Sequence, residues 1–287
     1  MLVTRITEAN AFAFTTPIEE LWENRSANEI FLGLVDDTDS AVGVAMLEDT
    51  GLELEIRYFA IAEECRGRGY GKYFLERIFE NFDQPLISRI SCCLFVDEGK
   101  DSEFLSFLGH NGFQVDTIEG RRSVYDLFEV LQAAPFCRSS LSAAEKIIPA
   151  RSAKDDIKLE IYALEDEAEA KGMILDARRM LSRENVFGGI LLKDERISSM
   201  LAIMPFLDGV RIESIYASHG SLIGVMKLLD RAVQVIKTRE DVPEKLYIDS
   251  VGATVLGFED RLLSEKGVEP EAKMQAMIAT KMFGGLK

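Results

Sequence analysis

The sequence predicts an α/β protein made of two units, each a central mixed β-sheet flanked by helices. Three observations predict this fold class. The 287 residues exceed the usual size of one domain. Short β-rich segments and amphipathic helical segments alternate in both halves of the chain. A stretch with two prolines and several small residues separates the halves, and each half is long enough to bury its own core.

The first half reads as a β-meander followed by alternating helices and strands. Thr16 before Pro17 predicts the start of a helix. Short turns between the first strands favour an antiparallel meander, and the helices between the later strands favour a mixed sheet. We expect strands at 29–35, 41–47, 52–61, 87–96 and 123–130, and helices at 70–82 and 102–110, the second ending at Asn111-Gly112.

The second half repeats this order in outline. We expect strands at 159–163, 189–193, 198–205, 210–217 and 246–251, and helices at 168–181, 222–236 and 256–265, the last ending at Gly267. The pattern predicts domains at 1–132 and 157–287, joined by an ordered connector at 133–156. Within the connector, Ser142-Ala-Ala-Glu145 has the spacing of a capping box and predicts a helix start.

Composition and cysteine usage predict a cytoplasmic protein. No stretch reaches the ~18 apolar residues of a membrane span, and the N-terminus lacks the order of a signal peptide. The four cysteines fit neither a disulfide framework nor a metal site, because a strand points the neighbours Cys92 and Cys93 to opposite faces. We expect free thiols and no metal.

A loop with three alternate glycines joins the strand at 52–61 to the helix at 70–82. Gly67, Gly69 and Gly71 leave the backbone unobstructed, so that consecutive N–H groups can turn toward one anion. The positive end of the helix points at the same place. The spacing fits neither a Walker loop nor a dinucleotide fingerprint. The loop therefore predicts a phosphate site, with a simple tight turn as the alternative.

The same residues resemble the GNAT family of acetyl-CoA-dependent N-acetyltransferases. Arg66-Gly67-Arg68-Gly69-Tyr70-Gly71 is similar to the family's Arg/Gln-x-x-Gly-x-Gly/Ala motif and stands in its position between a strand and a helix. Gly112-Phe113 resembles the Gly-Phe pair that closes the family's next helix. The resemblance covers residues 2–130, and the second half resembles a degenerate second GNAT unit, so that the expected fold is two GNAT-like domains in tandem.

The resemblance implies transfer of an acetyl group from acetyl-CoA to a primary amine of a small cationic molecule, a lysine or a peptide. It implies that the backbone of Phe59–Ile61 holds the pantetheine arm and the acyl carbonyl, and that the loop holds the diphosphate. The implied cofactor-binding residues are Phe59, Ala60, Ile61, Arg66, Gly67, Arg68, Gly69, Tyr70, Gly71 and Lys72.

Glu55 is the candidate general base that removes a proton from the incoming ammonium. Strand alternation places Glu53, Glu55, Arg57 and Phe59 on one face. Glu55 also resembles the glutamate that acts as the base in histone-type members of the family. The alternatives are a solvated strand edge and an ion pair with Arg57.

Two features depart from the family's pattern. The tyrosine that many members use as proton donor is replaced by Leu108; Tyr125 or His110 are candidate substitutes, with structural roles as the alternative. The family's asparagine is replaced by Asp97-Glu98, which either contact a cationic acceptor or form a solvated turn. These departures keep a second hypothesis open, a non-catalytic acyl-CoA sensor or interaction protein.

The corresponding loop of the second half, 218–224, keeps two glycines without the order of the motif. We therefore expect no CoA there. His219 in this loop is a conceivable ligand or base, and a surface position is the alternative. The expected role of the second domain is to shape the acceptor side of the site.

Negative charge is concentrated in the first half. The formal net charge is −16, of which residues 1–132 carry −14 and the remainder −2. Such a surface repels nucleic acid and anionic lipid and attracts cations. We therefore expect a cationic acceptor and no nucleic-acid or membrane partner; solubility is the alternative reason for the charge. The oligomeric state is left open.

Overall fold

The computed structural model describes residues 1–14, 22, 25, 28–51, 53–82, 87–97, 99–100, 102–182, 186–206, 208–220, 222–239, 243–251 and 253–283. The chain forms two compact units, Met1–Ile118 with Met277–Lys287, and Glu119–Ala276. The helix predicted from Thr16 lies outside the described residues. None of the described helices is long and apolar enough to cross a membrane.

The units do not divide the chain where its composition changes. Residues 119–156, which the sequence assigns to the end of the first domain and the connector, belong to the second unit. The C-terminal segment from Met277 belongs to the first unit. Each unit therefore completes its sheet with a strand from the other half of the chain. Composition marks loops and carries no information about which sheet a strand joins.

The first unit is a mixed sheet. Its strands are β1 Leu2–Arg5, β2 Glu29–Val35, β3 Ala41–Asp49, β4 Glu53–Ile61 and β5 Arg89–Asp97; its helices are α1 Tyr70–Phe82 and α2 Glu103–His110. The strands lie in the order β1-β2-β3-β4-β5, antiparallel up to β4, and α1 connects β4 to the parallel strand β5. Strand β12, Ala272–Met282, lies next to β5.

The apolar stripe of α1 builds the core of this unit. Phe74, Leu75 and Ile78 recur at helical spacing and are buried against Leu54 and Ile56 of β4. Full burial of each such side chain stabilises the fold by about 1.5–3 kcal/mol. Helix α1 begins at Tyr70, directly after the loop, and Gly71 is its second residue. Because α1 packs against β4, this packing fixes the position of the loop relative to β4.

A β-bulge interrupts β4 at Arg57. Ile56 pairs with Leu47 and Tyr58 pairs with Met46, which leaves Arg57 as an extra residue. The extra residue reverses the alternation of side chains between the two faces of β4. Phe59 and Ile56 therefore pack in the same core, on the face opposite to Glu55. The expectation that Glu55 and Phe59 share a face is therefore wrong, because a pattern of period two is broken by one inserted residue.

The second unit has the same order of elements around its own core. Its strands are β6 Gln114–Asp126, β7 Glu145–Ile148, β8 Phe187–Lys193, β9 Arg196–Phe206, β10 Gly209–Ala217 and β11 Lys245–Val251, with the start of β12; its helices are α3 Leu127–Ala133, α4 Asp155–Ala163, α5 Glu165–Ala170, α6 Ala177–Ser182, α7 Ile223–Ile236 and α8 Ala253–Leu262. Helix α7 connects β10 to the parallel strand β11, as α1 connects β4 to β5. Strand β10 is likewise bulged, at Glu213.

Four predictions for this region are wrong in whole or in part. Residues 127–130 are helical, because Asp126 caps α3 by accepting hydrogen bonds from the N–H groups of Phe128 and Glu129. Residues 159–163 lie in α4, whose first turn carries two aspartates. Ser142 and Glu145 do form one bond of a capping box, at 2.7 Å, but the turn leads into β7, which pairs with β8. The helix predicted at 168–181 is interrupted between α5 and α6.

Candidate functional site

Strands β4 and β5 separate part of the way along their length. Their ladder consists of three residue pairs, ending at Glu55 and Ser91. Beyond this point β4 continues to Ile61 without pairing to β5 in the described residues. The Ala62 N–H donates to the Val42 carbonyl of β3. Because the backbone groups of successive residues in an antiparallel strand point to opposite sides, those of Phe59 and Ile61 point away from β3, toward the opening.

The glycine loop lies at the end of this opening. Gly67 and Gly69 have φ values of 73° and 85°, and a Cβ built at either would meet nothing within 4 Å. A Cβ at Gly71 would meet the ring of Phe107 at 3.4 Å, which is ordinary contact. The first two glycines therefore permit a left-handed backbone beside open space, and the third permits close packing of helix α1.

Within the described residues, the loop has a run of backbone N–H groups without a backbone acceptor. The first bond of α1 runs from Tyr73 N–H to the Gly69 carbonyl at 3.0 Å. In the described part of the chain, no backbone acceptor receives the N–H groups of residues 67–72. The Arg66 Nε donates to the Ile61 carbonyl at 3.1 Å and ties the loop to the end of β4. Arg68 and Lys72 are exposed beside these groups.

Aromatic side chains line the helix side of the opening. The ring of Phe59 lies 5.4 Å from that of Phe74, 5.7 Å from Phe104 and 5.8 Å from Phe107, measured between centroids. Phe104 and Phe107 come from α2 and are half-buried. Sequence reasoning missed both; their spacing of three residues on a helix after β5 is the signal that was available.

Three glutamates lie side by side on the opposite face of the sheet. Glu29 pairs with Glu48 across β2 and β3, and Glu48 pairs with Glu55 across β3 and β4. Arg57 lies between two of them, with Nη1 2.7 Å from Glu55 Oε1 and Nε 2.8 Å from Glu48 Oε2. Glu29 and Glu48 are buried, and neither was singled out from the sequence, although an acidic residue in an apolar strand is a signal.

A thiol and a phenol in this region of the sheet stay neutral. Burial raises the pKa of the Cys92 thiol, and the negative charge of Glu55 raises it further, so that this buried cysteine is not a thiolate nucleophile. Burial raises the pKa of the half-buried Tyr58 hydroxyl, and the charge of Arg66 opposes this shift. Neither the Cys92 thiol nor the Tyr58 hydroxyl is therefore an anionic base, and the carboxyl groups of this face include those of Glu29, Glu48 and Glu55.

The proposed substitutes for the missing tyrosine are held elsewhere. Leu108 is fully buried in α2. Tyr125 is buried in the second unit, donates to Glu259 at 2.7 Å, and has a pKa raised first by burial. His110 is exposed, with Nδ1 2.6 Å from the Ser106 carbonyl. Asp97 pairs with Lys100 at 2.6 Å in an exposed turn. Glu98 lies outside the described residues.

Several known proteins resemble this chain in sequence or in fold. Residues 3–103 match the sequence model of the Acetyltransferase (GNAT) family. A tandem GNAT protein from the clavulanic acid biosynthesis pathway superposes with a TM-score of 0.68 at 10% identity, covering 100% of this chain and 99% of that chain. No curated protein matches the sequence.

Two further structures have the same fold. A putative acetyltransferase from Pyrococcus horikoshii has a TM-score of 0.59 at 14% identity, covering 100% of this chain and 94% of that chain. A GCN5-related N-acetyltransferase from Sphaerobacter thermophilus has 0.57 at 14%, covering 100% and 97%. The chain therefore has the fold of a tandem GNAT protein, and its residues 3–103 match the acetyltransferase family model.

Proposed function

We propose that the first unit binds acetyl-CoA and transfers the acetyl group to a primary amine. The observation that carries this proposal is the run of free N–H groups from Gly67 to Lys72, at the start of α1 and at the end of the opening between β4 and β5. Such a run binds anionic oxygens, and it falls inside the residues that match the acetyltransferase family.

The residues present fit a diphosphate with an attached chain. The loop supplies N–H donors, Arg66, Arg68 and Lys72 supply positive charge, and no side chain obstructs the two positive-φ glycines. The opening beyond Glu55 leaves backbone groups of Phe59 and Ile61 without a strand partner, as a pantetheine amide requires. Bound acetyl-CoA supplies the activated acyl group as a thioester.

The chain's own residues then perform two tasks. Backbone N–H groups at the open edge of β4 stabilise negative charge that develops on a carbonyl oxygen. Glu55 accepts the proton of the incoming ammonium, directly or through a water molecule, with Arg57 fixing the orientation of its carboxylate at 2.7 Å. The row of three glutamates with one arginine favours a cationic acceptor, such as a polyamine or a lysine side chain.

A non-catalytic acyl-CoA sensor is the second candidate. The observation that favours it is the fully buried Leu108 where a proton-donating tyrosine is expected, with neither Tyr125 nor His110 as a replacement. Thiolate is a good leaving group, so the transfer reaction proceeds without an acid. Turnover with any amine separates the two candidates.

Calorimetric titration with acetyl-CoA tests the proposal. We expect one site per chain in the wild type, and loss of binding by at least 100-fold in Gly69→Glu, which places a bulky anion in the loop. The matched control is Gly220→Glu in the second unit, where φ is 69° and a Cβ meets nothing within 4 Å. Both variants bear the same backbone strain and charge. Absence of binding in the wild type, or equal losses in the two variants, overturns the proposal.

A further inference from the structure

The second unit contains a cavity between the start of α7 and helix α8. Its volume is about 260 Å³. The lining is mostly apolar and comprises the side chains of Leu222, Ile223, Met226, Phe258 and Leu262. Ile223 is half exposed and adds apolar surface at the mouth of the cavity. The apolar lining is suited to the hydrocarbon chain of a ligand.

One positive charge stands at this cavity. Arg261 of α8 lines it, is exposed, and meets no carboxylate or other acceptor within bonding distance in the part of the chain that the structure describes. The neighbouring Asp260 is held by Arg121 at 2.8 Å, so it does not neutralise Arg261. Leu222, at the start of α7, makes no side-chain capping bond, so the first turn adds positive potential. This positive potential favours a ligand that carries a negative charge.

The shape of the site differs from the acetyl-CoA loop of the first unit. The connection from β10 to α7 is five residues long, 218–222, against eight residues, 62–69, from β4 to α1. It carries no lysine or arginine. The cavity, at about 260 Å³, is just below the range of about 300–1,000 Å³ typical of pockets for drug-sized ligands, which favours a small ligand.

We propose that this cavity binds a small aliphatic monocarboxylate, with its hydrocarbon chain against the apolar wall and its carboxylate paired with Arg261. The guanidinium forms two parallel hydrogen bonds with a carboxylate, which an alcohol or an amine does not reproduce. The site is separate from the acetyl-CoA site proposed for the first unit and does not depend on it.

Ligand-observed NMR titration of the full chain with hexanoate, which has about eight non-hydrogen atoms, tests the proposal. Hexylamine and hexan-1-ol serve as control ligands, because they have the same six-carbon chain without the negative charge. We expect saturable binding of hexanoate, and at least tenfold weaker binding of both analogues. Arg261→Gln is expected to weaken hexanoate binding at least tenfold, and Ile223→Ser, at an exposed position, severalfold.

Arg231→Gln is the matched control, because Arg231 is an exposed arginine of α7 that does not line the cavity. It is expected to leave hexanoate binding unchanged. Gly69→Glu is expected to keep hexanoate binding, and Arg261→Gln to keep acetyl-CoA binding, so failure at one site is distinguished from failure at the other. Equal binding of the three probes, insensitivity to Arg261→Gln, or displacement of hexanoate by acetyl-CoA overturns the proposal.

Discussion

The connections after β4 and after β10 follow equivalent bulged strands, but they differ in length and in sequence. Both strands gain one residue at the bulge, lead into a helix, and pair with a parallel strand only over their first part. The connection in the first unit has three more residues and two open glycines, and the N–H groups of residues 67–72 meet no backbone acceptor among the described residues. The shared scaffold therefore provides an opening, and loop length decides whether an anionic cofactor can be held there.

The charges on the two bulged strands are arranged in opposite order. The first unit has Glu55 and Arg57, and the second has Arg211 and Glu213. Glu213 lies between Arg211, at 2.7 Å, and the buried Arg179, at 3.3 Å. A carboxylate held between two arginines stabilises the fold, and in the first unit Glu55 and Glu48 share the side chain of Arg57. The residue that the bulge adds is therefore an arginine in the first unit and a glutamate in the second.

The largest expected effect is on catalysis, from Glu55→Gln. Removal of a general base lowers kcat by about 10²–10³-fold, while acetyl-CoA affinity stays within a factor of two. The measurement is thiol release with a panel of polyamines and lysine peptides, beside calorimetry. Glu53→Gln is the control, because Glu53 lies on the same strand and pairs with Arg89 at 2.7 Å. Unchanged turnover in Glu55→Gln would assign this carboxylate to its ion pair with Arg57.

The next effect is on stability, from Glu213→Gln. This change removes one of the two carboxylates that contact the buried Arg179, the other being Asp176 at 3.2 Å, and is expected to lower the free energy of unfolding by about 3 kcal/mol. Glu48→Gln in the first unit is expected to cost about 1 kcal/mol, because the side chain of Arg57 is one-third exposed. Urea unfolding followed by circular dichroism compares the two variants. A larger loss in Glu48→Gln contradicts the contrast drawn between the strands.

Glu145 offers a pH-dependent test within the second unit. Hydrogen bonds from Lys227 at 2.8 and 3.0 Å lower its pKa from 4.5 to about 2. Because the folded state holds this proton less tightly than the unfolded state, the stabilisation is complete above pH 4.5 and disappears as the pH falls toward 2.

Glu145→Gln is therefore expected to cost about 2 kcal/mol at pH 7, with the difference from the wild type shrinking below pH 4.5. Unfolding by urea at several pH values measures this dependence. Glu269→Gln, at an exposed position, is the control and is expected to show no such change. A difference that is constant with pH would mean that the ion pair with Lys227 is not the source.

The smallest effect separates backbone strain from ligand binding. Gly69→Ala and Gly220→Ala both place a side chain at positive φ and are expected to destabilise the fold by about 1–2 kcal/mol each. Only Gly69→Ala is expected to weaken acetyl-CoA binding, by severalfold, because the methyl group enters the proposed cradle. Thermal denaturation and calorimetry read the two properties separately. Equal affinities in both variants would show that the methyl group is tolerated in the loop.

Much of the candidate site is local and was predictable. The helix predicted at 70–82 begins and ends as observed, because its apolar stripe has helical period and the glycines mark its start. Strand β2 has its predicted bounds for a similar reason. The assignments of Glu55 and of the ten cofactor-binding residues stay predictions, which the variants above test.

What the sequence determined by itself is therefore the glycine loop, the helix after it and most of the strands, since each depends on residues near in the chain. The tertiary structure decided the bulge at Arg57, the row formed by Glu29, Glu48 and Glu55, and the sheet that each terminal strand joins. These depend on which backbone groups lie across a ladder from one another. A strand's hydrogen bonds are made with a distant segment, so the sequence of the strand alone does not specify its partner.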